Sequence, residues 1–299
     1  MIINYSVAEL RINKDWSYQA GFSLSNAKTN VTSYKGKTAI NWGVNSIVEG
    51  KPLNALYVFK TDGLFQTQEE VDEYYAQMNG KVSGSLINNV KNGTVNELTP
   101  GCVRRVDMNG DNDITKSDLY FYGDTDPHYT FSLNLGLTWK NLDFTCFFQG
   151  VGQQYHVRNG QMGCAFWSGW TNTNGTFIDN TWYAGDEYGY HKANTGASQP
   201  LISRNGSRNA WNYKNYNDIN VHNDWYMRCK QIQLGYTLPK TWLSRTPFEK
   251  VRVWVSGEDL FDISNIKDGY DPENQSSMGT FSGVDVFASS LSFGLDVTF

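Results

Sequence analysis

Ser290-Leu291-Ser292-Phe293-Gly294-Leu295-Asp296-Val297-Thr298-Phe299 decides the fold. Leu291, Phe293, Leu295, Val297 and Phe299 fall at every second position, with Ser290, Ser292, Gly294, Asp296 and Thr298 between them. A period of two is the signature of a β-strand with one apolar and one polar face. The same alternation runs through Phe131, Leu133, Leu135, Leu137 and Trp139, and through Trp16, Tyr18, Ala20, Phe22 and Leu24. It recurs in Val251, Val253 and Val255, and in Ile232, Leu234, Tyr236 and Leu238. These runs predict strands over 3–12, 16–28, 129–139, 142–156, 225–238, 250–261 and 288–299, with a further strand at 37–48. The connections alternate in length. Asn13-Lys14-Asp15 and Lys140-Asn141 are tight turns and 239–249 is moderate, whereas 29–128, 157–224 and 262–287 are long. Within the first long segment, Thr67 with Glu70 makes a capping start, and Val71, Tyr74, Tyr75 and Met78 are spaced for one helix.

Composition narrows the class. The chain has 299 residues, 15% aromatic and only 18% charged, with 28 Gly. So many aromatics exclude a disordered chain. A net charge of −5 without clustered Lys and Arg argues against nucleic acid as a partner. Cys102, Cys146, Cys164 and Cys229 form no CxxC pair and so offer no zinc site. No apolar run reaches the ~18–20 residues of a membrane helix. Met1–Ser6 lacks the basic and apolar regions of a signal peptide. The expectation is either a soluble cytoplasmic protein or a chain whose front end is missing.

Alternation alone fits a soluble sandwich as well as a membrane barrel. Three features favour the barrel. The polar faces are rich in Ser, Thr, Gln, Gly and Asn but poor in Lys and Glu, as in a water-filled lumen. Trp16, Trp139 and Trp225 stand at strand ends, where an aromatic girdle belongs. The alternation runs unbroken to Phe299, whereas soluble domains more often trail off in polar residues. Short turns at one end and long loops at the other complete the pattern. The fold class expected is therefore all-β: an antiparallel transmembrane β-barrel, partial, with about seven or eight strands. A secreted, carbohydrate-binding β-sandwich is the alternative. A glycoside hydrolase would need two carboxylates facing a cleft, but Asp186 and Glu187, or Glu258 and Asp259, are sequence neighbours that diverge in an extended chain.

Asp107, Asn109, Asp111, Asp113, Thr115 and Asp118 occupy positions 1, 3, 5, 7, 9 and 12 of an EF-hand-like loop, a spacing suited to Ca2+. Asn112 replaces the usual Gly at position 6, and Asp118 is shorter than the usual Glu. The competing reading is a turn whose side chains bond their own backbone. The second long segment is aromatic, with Trp167, Trp170, Trp182, Tyr183 and Trp211. Such rings either stack on a ligand or partner, or pack the loop. His128, His156, His191 and His222 show no ligand or triad spacing. Gly150-Val151-Gly152 lacks the third Gly and the following helix of a dinucleotide loop. No catalytic or cofactor-binding residues are expected.

Several longer stretches resemble one family. Arg228-Cys229-Lys230-Gln231-Ile232-Gln233-Leu234-Gly235-Tyr236-Thr237-Leu238-Pro239 resembles the R-x-K-x-x-x-L-G-Y-x-L-P strand of SusC/RagA-type TonB-dependent transporters. Arg252-Val253-Trp254-Val255-Ser256-Gly257-Glu258-Asp259-Leu260-Phe261 resembles their R-v-y-x-s-g-x-N-L-F strand, with Asp259 for Asn. Gly269-Tyr270-Asp271-Pro272-Glu273 is similar to their G-x-D-P-E loop, and Asp107–Ile114 to their D-x-N-G-D-G-x-I loop. Asp143-Phe144 with Gln149-Gly150 resembles F-D-x-x-x-x-x-Q-G. The resemblance spans residues 16–299. It implies that 1–299 is the C-terminal part of a barrel of about 22 strands, with 29–128 and 157–224 as outer loops and with plug domain and signal peptide absent. It further implies the Gram-negative outer membrane as location. The implied role is import of oligosaccharides or peptides, with a SusD-like surface lipoprotein as lid and the TonB complex supplying force.

Overall fold

The computed structural model describes residues 2–6, 10–36, 38–40, 46–78, 98–158, 163–164, 166, 177, 179–186, 188–189, 191–203, 206–214, 216–266, 271–273 and 288–299. The first strands are β1 (Ile2–Ser6), β2 (Leu10–Arg11) and β3 (Trp16–Ser25). The first long connection holds β4 (Ala55–Phe59), β5 (Thr61–Leu64), helix α1 (Gln68–Gln77), β6 (Val103–Arg105) and β7 (Leu119–Asp124). Then come β8 (His128–Trp139), β9 (Leu142–Gln153), β10 (Tyr155–Val157) and β11 (Val221–Asn223). β12 (Tyr226–Thr237), β13 (Lys250–Glu258), β14 (Asp262–Ser264) and β15 (Ser290–Thr298) complete the order.

One antiparallel sheet runs β1-β3-β8-β9-β12-β13-β15, with β2 added to β3 and β14 to β12. Its register keeps the two faces unmixed across strands. Tyr18 opposes Leu137 and Leu137 opposes Phe144. Phe144 opposes Leu234, then Val255, then Phe293. Those rows are uncovered: Leu135 and Leu137 are 39% exposed, Leu291 68%, Phe293 80% and Leu295 61%. In a sandwich the same rows would lie under a second sheet. Among the described residues no sheet covers them, so the apolar side faces outward. The other face carries Ser23 hydroxyl-bonded to Ser132 at 2.6 Å. A concavity of about 480 Å3 in the sheet is lined by Gln19, Asn134, Thr145 and Gln231 together with Phe22, Leu135 and Phe147.

Length supports a spanning sheet. Tyr129, Trp225 and Phe261 are exposed near one end, and Trp16 and Trp139 near the other. About ten residues at 3.3 Å each, tilted by roughly 40°, cover about 25 Å, the height of an outer-membrane apolar band.

The long connections are not plain loops. β4 pairs with β7 and β5 with β6, making two small sheets. Every residue of β4 is buried. With α1 they enclose a dry core of Tyr57, Phe59, Phe65, Val71, Leu98 and Ile114, closed by Trp211 from the second connection. α1 starts at Thr67, whose side chain accepts from the Glu70 amide, and it buries Val71 and Tyr74 as the spacing predicts. At 37–48 the described residues hold only the bridge Ala39–Ile47 in place of the expected strand; 37 and 41–45 lie outside them.

Candidate functional site: the lumen face and its loops

The polar face is built by the sequence motifs. Arg252 points to this face from β13, opposite Thr237 on one side and Asp296 on the other. Its guanidinium crosses β12 to reach β9. Nε donates to Asp143 Oδ1 at 3.0 Å and Nη2 to Oδ2 at 2.5 Å. Nη1 donates to Asp296 Oδ2 at 3.1 Å, and Trp254 Nε1 donates to Asp296 Oδ1 at 3.3 Å. One cation on β13 therefore bonds β9 and β15, passing over β12 on the way, with the bidentate geometry that only arginine provides. The crossing needs Gly235. A Cβ there would collide with the guanidinium and with Asp143 Oδ2. Gly294 leaves room in the same way for the Trp254 ring. The Asp-Phe, Leu-Gly-Tyr and Arg-Val-Trp motifs meet in this one cluster.

At the long-loop end a bulge solves a conflict of phase. Continuing the alternation back from Ile232 would put Lys230 and Arg228 on the apolar face. The β9 register instead passes from Cys229–Phe148 to Gln231–Phe147 and skips Lys230. The extra residue lets Arg228 turn to the polar face opposite Gln149. There Arg228 Nη2 meets Asp271 at 2.6 Å and Nη1 meets Glu273 at 2.6 Å. Lys230 meets Asp259 at 2.7 Å and Glu273 at 3.0 Å. The R-x-K strand and the D-P-E loop are thus two halves of one ionic latch. Gly269 and Tyr270 of that loop lie outside the described residues. Asp259 has φ +48, a left-handed backbone that Asn and Asp tolerate, which accounts for a position that takes either.

In the 107–118 loop the carboxylates bind backbone. Asp107 accepts from the amides of Asn109, Gly110 and Asn112. Burial pushes its carboxyl up, but those amides hold it below the ordinary value. Asp118 accepts from Met108 and Thr115, yet burial leaves its carboxyl raised. Thr115 and Asp118 form a capping box on the turn Lys116–Asp118. Asn109 and Asp111 bond each other. Asn112 has φ +60, the left-handed conformation that position 6 requires. Among the described residues, no three His, Cys, Asp or Glu side chains gather as metal ligands.

The aromatic segment divides. Trp211 is fully buried and donates to the Val103 carbonyl at 2.7 Å. Its ring and Phe59 flank the Arg105 guanidinium, with centroids 3.9 and 4.1 Å away. Arg105 donates to Asn217 Oδ1 and to the Trp211 carbonyl, each at 2.8 Å. Burial pushes the guanidinium down to about 9, still charged at neutral pH. Trp182 is 5% exposed, lies against Gly101 and donates to Gln66 Oε1. Trp182 and Trp211 therefore pack the two long connections together. Tyr183 is 37% exposed. Trp167 and Trp170 lie outside the described residues.

His128 and His156 stand at the junction of loops and sheet, whereas His191 lies within the second long connection against Tyr183. His128 bridges Asp124 and Asn26 at 2.7 and 2.8 Å. His156 shares Asp224 with Arg158, which binds it with two nitrogens. Burial pushes the Asp224 carboxyl up, but the bonds and charges of His156 and Arg158 outweigh it and hold the group below the ordinary value. All four cysteines are buried thiols, none of them in a disulfide.

No family model matches the chain. Among curated proteins, the TonB-dependent receptor P3 of Formosa agariphila is 27% identical over 271 residues, covering 85% of this chain and 25% of the relative. The TonB-dependent receptor SusC of Bacteroides thetaiotaomicron is 27% identical over 177 residues, covering 58% of this chain and 15% of the relative. The RagAB peptide importer in its closed-closed state superposes with a TM-score of 0.63 at 14% identity, over 100% of this chain and 29% of that one. The chain is SusC/RagA-like. In its open-open state the same importer gives a TM-score of 0.61 at 16% identity over 97% of this chain. The SusC/RagA-like chain spans about a quarter of the length of receptor P3 and of the RagAB chain, and 15% of SusC. Its sheet has the fold of part of the antiparallel barrel in the RagAB structures. The names of these relatives are those of receptors and importers.

Proposed function

We propose that this chain supplies barrel wall and outer loops to an outer-membrane receptor for nutrient uptake. Its cargo is an oligosaccharide or a peptide, of which the peptide is the class named for RagAB. A SusD-like lipoprotein covers the loop side and the TonB complex drives import through a plug outside the matched stretch. The observation that carries this is the uncovered apolar row from Tyr18 to Phe293, backed by a polar, ion-paired face. Hydrocarbon is the solvent that such a sheet suits, provided that the free edges of β1 and β15 pair with the remaining strands of a closed barrel. A gene deletion should abolish growth on one oligosaccharide or peptide mixture but not on its monomers. Full growth on every mixture, with the protein recovered in the soluble fraction, would contradict the proposal.

The 107–118 loop belongs to the same reading as a calcium site that stiffens the loop unit. Asp107, Asn109, Asp111, Asp113, Thr115 and Asp118 supply hard oxygens at the spacing Ca2+ takes. Calorimetry should detect calcium binding that Asp111→Asn with Asp113→Asn removes. Absence of heat at millimolar calcium returns the loop to a self-bonded turn.

A further inference from the structure

We propose that the short-turn end of the sheet is a docking rim for anionic phospholipid headgroups; the proposal rests on the membrane reading above. The turn segments 11–15, 140–141 and 239–250 carry Arg11, Lys14, Lys140, Lys240, Arg245 and Lys250 against only Asp15 and Glu249. That is an excess of four positive charges on a chain of net −5. All six bases are exposed. Among the described residues none of the six makes an ion pair. Elsewhere Arg104, Arg158, Arg228, Lys230 and Arg252 sit on carboxylates, whereas Lys28, Lys35 and Lys192 at the loop end are exposed without an ion pair among the described residues. Like charges gathered without counterions repel one another, and an external anion relieves the repulsion.

The same rim is aromatic, and its rings say what the anion belongs to. Trp16 and Trp139, both in the outward phase, stack at 5.4 Å. The Lys140 ammonium lies 5.6 Å from the Trp139 centroid, which places a charge over an outward ring. In the short helix Lys240–Leu243, Leu243 is buried while Trp242 is 67% exposed between Lys240 and Arg245. Phe248 meets Phe299 edge-on at 5.2 Å. Indoles settle at headgroup level, where the ring is half in hydrocarbon and the N–H is wet. Lysine and arginine beside them extend to the phosphates. A soluble acidic segment would satisfy the charges but would leave Trp242 and the Trp16–Trp139 stack in water.

The test is native mass spectrometry of the protein purified from outer membranes in detergent, with equimolar phosphatidylglycerol and phosphatidylethanolamine added. Several-fold greater retention of phosphatidylglycerol is expected. The variant Lys14→Ser, Lys140→Ser, Lys240→Ser, Arg245→Ser should bring the ratio near one while keeping heat-modifiable migration. Lys28→Ser, Lys35→Ser, Lys192→Ser at the loop end should leave the ratio unchanged. Should the quadruple variant fail to fold, Lys140→Ser and Lys240→Ser singly should each lower the ratio. Equal retention of the two lipids overturns the proposal. So does a preference that the rim variants leave intact, or one that free glycerol 3-phosphate or an acidic peptide abolishes. A protein that needs no detergent would sink the membrane reading itself; a detergent-dependent protein without headgroup preference sinks only this rim.

Discussion

At Gly235 a missing side chain lets one cation on β13 reach across β12 to β9. Arg252 passes over this residue to Asp143, and any Cβ occupies the space of both groups. Gly235→Val should therefore cost about 1–3 kcal/mol, as overpacking does. It should also leave Arg252 tied only to Asp296. The check is the urea midpoint of the refolded barrel band. A midpoint equal to that of the parent would show that the guanidinium does not lie there. Single residues were the least legible level of the sequence. Asp143 and Arg252 are 109 positions apart, and only the strand register brings them together. For Trp211 and Trp182 the sequence leaves ligand stacking and loop packing both open, because it does not say which rings meet partners 108 and 116 positions earlier in the chain.

Among the elements, β12 carries the most constraint. It is paired on both sides, to β9 along one edge and to β13 and β14 along the other. The bulge at Lys230 resets which face each residue takes. Deleting Lys230 closes the bulge and keeps every neighbour on its own face, at the loss of two ion pairs. Inserting one alanine between Ile232 and Gln233 instead turns half the strand inside out. The deletion should still give a folded, heat-modifiable band, and the insertion should not. Equal behaviour of the two would remove the bulge from the account. The main strands were legible because period-two patterning is local and repeated. β4 was not, although its unbroken apolar run is the mark of a strand buried on both faces. Its partner β7 begins 60 residues after β4 ends, inside what reads as loop.

For the molecule as a whole, two environments coexist. Tyr57, Phe65 and Trp211 are buried in a dry core beyond the end of the sheet, while Phe293 and Leu295 are more than half exposed on it. A water-soluble protein of this sequence would bury both sets, since each large apolar side chain contributes about 1.5–3 kcal/mol when removed from water. Leaving one set uncovered is stable only if the surroundings are themselves apolar. The central claim is therefore a claim about solvent. It is tested most directly by spin labels placed singly at positions 291 to 298 of the bilayer-reconstituted protein. Positions 291, 293, 295 and 297 should collide with oxygen, and 292, 294, 296 and 298 with an aqueous nickel chelate, in strict alternation. Uniform access to the chelate, or protection of the odd positions from both reagents, would contradict the account.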